Sequence, residues 1–171
     1  MIRVESDSSG EWDSSSPWAA IAERSVQAAI AASRHSALTE SAIAVEVSVK
    51  FTGDEEVRSL NGSFRAKDKP TNVLSFPMLD SGLLGPLAKA DGAEVLLGDV
   101  VLAHGVCASE ARDKGVSVED HAAHLIVHGT LHLLGYDHET GEEDAEAMER
   151  LERQALDSIG IADPYLSEVG S

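Results

Sequence analysis

His128-Gly-Thr-Leu-His-Leu-Leu-Gly-Tyr-Asp-His138 is the stretch of this 171-residue chain whose reading decides the fold. Its first two histidines stand at i and i+4, which puts both imidazoles on one face of a helix and lets them point at one ion. Gly135 can adopt the left-handed backbone that stops such a helix, and the chain then turns so that His138 can supply a third nitrogen. Three histidine nitrogens at about 2.0 to 2.1 Å leave a tetrahedral zinc ion one open position for water, the mark of a catalytic site. Zinc lowers the pKa of that water from about 15.7 toward about 7, so a nucleophile becomes available near neutral pH without a reactive side chain. The spacing predicts one zinc ion held by His128, His132 and His138 in a small metalloprotein, with hydrolase chemistry as the expectation.

Two features bear on that chemistry. His124 lies one helical turn before His128 and could fill the fourth position of a purely structural zinc. Because the loop histidine already completes a facial set, His124 is expected to touch the ligands or solvent instead, and His35, His104 and His121 read as ordinary histidines. The spacing also equals the three-histidine part of the zinc-endopeptidase pattern His-Glu-x2-His-x2-Gly-x2-His, but Gly129 stands where the general-base glutamate would be. Peptidase or amidohydrolase chemistry then lacks its base, unless a carboxylate such as Asp137 reaches the water. A phosphodiester substrate, whose charge calls for a cation beside the metal, suits the site better.

Composition sets the outer bounds. The length suits one domain over residues 1–171, and 43% hydrophobic with 25% charged residues is an ordinary globular balance. No run approaches the roughly 20 apolar residues of a spanning helix. The start, Met1-Ile-Arg-Val-Glu-Ser-Asp-Ser-Ser9, lacks a basic head followed by an apolar core, so a cytoplasmic location without membrane association is expected. Cys107 is the only cysteine, which excludes an internal disulfide and a cysteine-rich zinc site. Thirteen basic against thirty acidic residues give a formal charge of −17, which repels nucleic acid at long range. Much of the excess falls in Glu139, Glu142, Glu143, Asp144, Glu146, Glu149 and Glu152, which read as the outer face of a late helix.

Working outward, Ser117 with Asp120 opens the histidine helix, which runs to Leu134, and a last helix spans about Thr140 to Ile159 with Leu151 and Ala155 inward. Upstream, Ile2 to Glu5 suggests a short strand, and Ser16 at the N-cap with Pro17 starts an Ala-rich helix to about Arg34. The alternation of Ala44 to Phe51 is a half-buried strand, and Thr52 with Glu55 looks like a capping box for a short helix from Asp54 to Asn61 that stops at Gly62. A polar turn from Arg65 to Pro70 leads to a third strand, Val73 to Pro77, where the proline means that the strand either ends there or lies at a sheet edge. Gly82, Gly85, Pro86 and Gly92 mark residues 79–93 as an irregular loop, Leu96 to Leu102 as a fourth strand, and Ala103 to Asp113 as a helix broken by Gly115.

The run from His128 to His138 resembles the signature of the bacterial YbeY family of ribosomal RNA maturation endoribonucleases. Leu60-Asn61, Arg65, Pro70-Thr-Asn-Val-Leu-Ser-Phe-Pro77 and Leu97-Gly-Asp99 follow the family's order, so the resemblance covers roughly residues 44 to 157. It implies an α+β fold: a single zincin-like domain with a mixed four-stranded sheet packed with helices and the zinc site at the end of a long helix. It further implies single-strand-specific, zinc-dependent cleavage of ribosomal RNA in ribosome maturation and quality control, with ribosomal small-subunit proteins and assembly factors as partners. The family's functional arginine falls on Arg65, beside Lys67 and Lys69, as a catalytic clamp on the scissile phosphate. Asn72 stands where the family commonly has Asp, and 79–93 is longer than in compact members. A rival of another class is a ribosome-assembly factor whose zinc is structural, for which the acidic surface would serve protein contacts.

Overall fold

The computed structural model describes residues 1–65, 71–88, 94–137 and 141–165. Its central strand follows from valine alternation: β2 (Val45–Thr52) turns Val45, Val47, Val49 and Phe51 into the core and leaves Glu46, Ser48 and Lys50 half-buried. β1 (Ile2–Ser8) pairs with β2 in parallel on one side. On the other side of β2 lies β4 (Val95–Ala103), also parallel, and β3 (Val73–Pro77) runs antiparallel to β4. The result is a mixed four-stranded sheet in the order β1-β2-β4-β3. Pro77, which has no N–H to offer, is accommodated because β3 is an edge.

The helices are α1 (Trp18–Ala32), α2 (Asp54–Arg65), α3 (Leu84–Ala88), α4 (His104–Lys114), α5 (Val118–Leu133) and α6 (Glu142–Ser158). α5 sits at the centre of the helical layer, with α1, α4 and α6 against it and β3 and β4 beneath. Ile126, Leu131 and Leu133 from α5, with Ile30, Phe51, Leu102 and Met148, form the main core. Alternation along β4 sends Val101 and Ala103 to the other face, where Val57 of α2 and Leu74 cover them. Cys107 is buried in the main core.

Several local expectations change. Ser16 does not cap α1; its hydroxyl donates to Glu119 at 3.1 Å, and Pro17 takes the cap position without a side-chain bond. Thr52 reaches Glu56 rather than Glu55, at 2.9 Å. α2 does not stop at Gly62 but runs on to Arg65, so Arg65 closes a helix instead of lying in a turn. A mid-helix glycine costs only about 1 kcal/mol, and burial of Val57, Leu60 and Asn61 on one face offsets it. The stretch 79–93 is not wholly irregular, because Asp80 caps a 3-10 turn, Ser81–Leu83, through Gly82 N–H at 2.9 Å, and α3 follows with Leu84 fully buried. Residues 89–93 lie outside the described residues.

Two close approaches fix the layer. Asp54 at the start of α2 accepts from Val106 N–H at 3.1 Å, capping α4 from a distance, and Gly105 leaves the room for it. At Gly98 the pairing of β4 with β2 shifts by one residue, and a Cβ there would meet Phe76 O at 2.5 Å and Leu133 Cδ2 at 2.6 Å. Gly98→Ala must therefore displace the edge strand or the end of α5. The expected cost is about 1–3 kcal/mol, a fall of several degrees in Tm in a thermal melt. An unchanged Tm would show that the edge strand yields freely.

Candidate metal centre

α5 holds the histidines, and both of its ends are built locally. Ser117 Oγ accepts from Asp120 N–H at 3.0 Å, so the predicted start is as expected. At the other end Gly135, at φ +99, donates to His132 O at 3.0 Å while Tyr136 N–H donates to Leu131 O at 3.1 Å. These paired bonds are the Schellman stop, which turns the chain just beyond His132. Tyr136 keeps that turn in place: its hydroxyl accepts from Arg34 N–H at 3.0 Å, and the Arg34 guanidinium lies 4.8 Å over its ring.

Helical spacing brings His128 and His132 together. Their Nε2 atoms are 3.1 Å apart, with ring centroids at 4.7 Å and planes at 82°. Two such lone pairs facing each other repel unless a proton or a cation lies between them. Two nitrogens on one tetrahedral zinc at about 2.0 to 2.1 Å stand about 3.3 Å apart, so the pair fits a shared ion. Among the described residues no third histidine, cysteine or carboxylate completes a metal-holding group. The third predicted ligand, His138, lies outside the described residues, as do Lys67, Lys69 and the side chain of Arg65, so the expected basic rim falls outside them too.

Behind His128 stands a residue that the sequence reading misplaced. Glu142, Glu143, Asp144 and Glu146 are exposed on α6, as expected, but Glu152 is only 1% exposed. It falls on the stripe of Met148, Ala155 and Leu156, the i, i+4, i+7 and i+8 positions that face the core. That position was the legible signal, since a carboxylate on an apolar stripe needs partners. Glu152 Oε1 accepts from His124 Nε2 at 2.7 Å and lies 3.3 Å from His128 Nδ1. The Tyr165 hydroxyl adds bonds of 3.1 and 3.0 Å to its two oxygens. Burial pushes the Glu152 carboxyl up, but the bonds and charges of His124 and His128 outweigh it and hold the group at about 2.

The remaining candidates are accounted for separately. His124 turns its Nε2 to Glu152 rather than to the histidine pair. One turn earlier, His121 is buried against Glu110 at 2.9 Å, and Glu110 also accepts from Asn72 Nδ2 at 3.0 Å. An amide at 72 can therefore donate to Glu110 where a carboxylate would repel it. His104 sits edge-on to Trp12, and His35 lies beside Arg34. Gly129, at the position of the peptidase base, faces the sheet: a Cβ would meet Val100 Cγ1 at 2.9 Å and Ser75 Oγ at 3.1 Å.

The comparisons with known proteins reach further along the chain than the motifs did. The family profile described as Endoribonuclease YbeY matches residues 12–160. A relative named Endoribonuclease YbeY from Novosphingobium aromaticivorans is 53% identical, over 96% of this chain and 96% of its own. Relatives of the same name from Rhizorhabdus wittichii and Sphingopyxis alaskensis are each 52% identical, covering 96% and 98% of this chain and 97% and 99% of theirs. A solution structure of a Thermotoga maritima protein superposes with a TM-score of 0.53 at 23% identity, covering 93% of this chain and 91% of that one, which bears on the fold alone. A paired histidine site at the end of α5, a mixed sheet beneath it and near-full-length likeness agree, and the chain belongs to the YbeY endoribonuclease family.

Proposed function

We propose that this protein is a single-strand-specific, zinc-dependent endoribonuclease that acts on ribosomal RNA in ribosome maturation and quality control. The observation that carries the reading is the convergence of His128 and His132 Nε2 at 3.1 Å in a chain of this family. His128, His132 and His138 would hold one zinc ion in a zincin-like arrangement. Zinc held there would supply a water of lowered pKa and would offset charge on a phosphodiester oxygen. Arg65 is the clamp on the scissile phosphate, where a guanidinium can bind two oxygens at once. Gly129 leaves the peptidase base position empty of any carboxylate, which favours a substrate that brings its own charge.

The formal charge of −17 asks for local attraction, and Arg65, Lys67 and Lys69 provide it within five residues. Ribosomal small-subunit proteins and assembly factors would do the docking in the cytoplasm; among the described residues no helix is long and apolar enough to cross a membrane. The same acidity supports a second reading, an assembly factor with a structural zinc.

The test is cleavage of a single-stranded ribosomal RNA fragment by metal-quantified protein, with mapped product ends. Arg65→Ala is expected to lower the rate about 100- to 1000-fold, the usual loss for one transition-state donor, with zinc content unchanged. A wild-type rate in that variant would remove Arg65 from the mechanism. Cleavage equal in the wild type, Arg65→Ala and chelated protein would mean a contaminating nuclease and favour the assembly factor.

A further inference from the structure

A buried carboxylate that touches a metal-ligand candidate from behind calls for a reason. Glu152 comes from α6, the next helix after α5, and reaches His128 on the Nδ1 side, away from His132. An acceptor oxygen at that position favours the tautomer with the proton on Nδ1, which turns the lone pair of Nε2 toward the His132 side. A carboxylate on the far nitrogen also fixes the ring's rotation and raises its basicity toward a metal. Glu152 is held in turn by His124, 7% exposed, and by the Tyr165 hydroxyl from beyond the end of α6. The Arg153 guanidinium lies 5.2 Å over the Tyr165 ring, and Tyr165 N–H donates to Asp163 at 2.8 Å, so the clamp is itself anchored.

We propose that Glu152, locked by His124 and Tyr165, is a positioning residue that sets the tautomer and orientation of His128 and thereby the affinity of the site for zinc. The inference rests on the zinc reading above and deepens it. It makes Tyr165, which lies beyond the end of α6, part of the support of the metal site, although Tyr165 is not one of the proposed ligands. Simple stapling of α6 to α5 would need neither the shared oxygen on two imidazoles nor the approach to Nδ1.

The deciding measurement is the zinc dissociation constant of the full-length apoprotein, by competition with a chromophoric chelator, beside the thermal melt of each apo form. Glu152→Gln, which keeps size but loses charge, is expected to weaken zinc binding about 10- to 100-fold. Tyr165→Phe should weaken it less, in the same direction, and both variants should shift the d–d absorption of the cobalt(II)-loaded protein. Zinc affinity equal to the wild type in both variants, whatever their apo Tm, would overturn the proposal and leave Glu152 a structural staple. Should Glu152→Gln fail to fold, Tyr165→Phe decides by the same criterion. A wild-type protein that binds no zinc fails the zinc reading itself, an outcome distinct from unchanged affinity in the variants.

Discussion

Gly129→Glu is expected to destabilise the protein severely instead of creating a peptidase. The position lies on the face of α5 that packs on the sheet, with Val100 of β4 fully buried beneath it and Ser75 Oγ donating to Gly129 O at 3.2 Å. A Cβ alone would stand 2.9 Å from Val100 Cγ1, an overpacking worth about 1–3 kcal/mol. A glutamate must also leave water in an apolar layer without a partner, which costs several kcal/mol more. Against a whole stability of about 5–15 kcal/mol, the sum is a large share. Urea unfolding should show the loss, with Gly129→Ala giving only the overpacking part. A Gly129→Glu protein that melts like the wild type and cleaves a peptide would revive the peptidase reading.

His128→Ala is expected to abolish zinc retention and to lower cleavage of single-stranded ribosomal RNA by more than about a thousandfold. The alanine removes one of two converging nitrogens, and with it the proposed ion, whose effect on water would span about nine pKa units. It also takes one partner from the buried Glu152, a cost of about 1–3 kcal/mol, so the variant should stay folded with a lower Tm. Metal analysis, the RNA assay and a thermal melt read these three effects separately. A folded His128→Ala protein that still restores ribosome maturation in cells would favour the assembly factor with a structural zinc.

Much of this was written locally in the chain. The histidine pair follows from i, i+4 spacing, the start of α5 from Ser117 and its stop from Gly135, because each depends only on a few neighbouring residues. The alternation of β2 and the edge position of Pro77 were legible for the same reason, since strand periodicity and a missing N–H act within the strand itself. Arg65 became a candidate only through resemblance, because a basic residue near a turn carries no chemistry of its own.

Other features belong to the tertiary structure, and they share a physical cause. Ser16 read as the N-cap of α1, but the distant Glu119 takes its hydroxyl instead. Gly62 looked like a stop, but burial of one helix face carried α2 past it. Glu152 sat among six other acidic residues, and although its place on the stripe of Met148, Ala155 and Leu156 set it apart, the partners that make its burial possible lie elsewhere in the chain. Sequence by itself determined the histidine spacing, the strand pattern and the family. Only the fold decided that one carboxylate would leave solvent, because its burial is favourable solely where two imidazoles and a hydroxyl from distant positions converge on it.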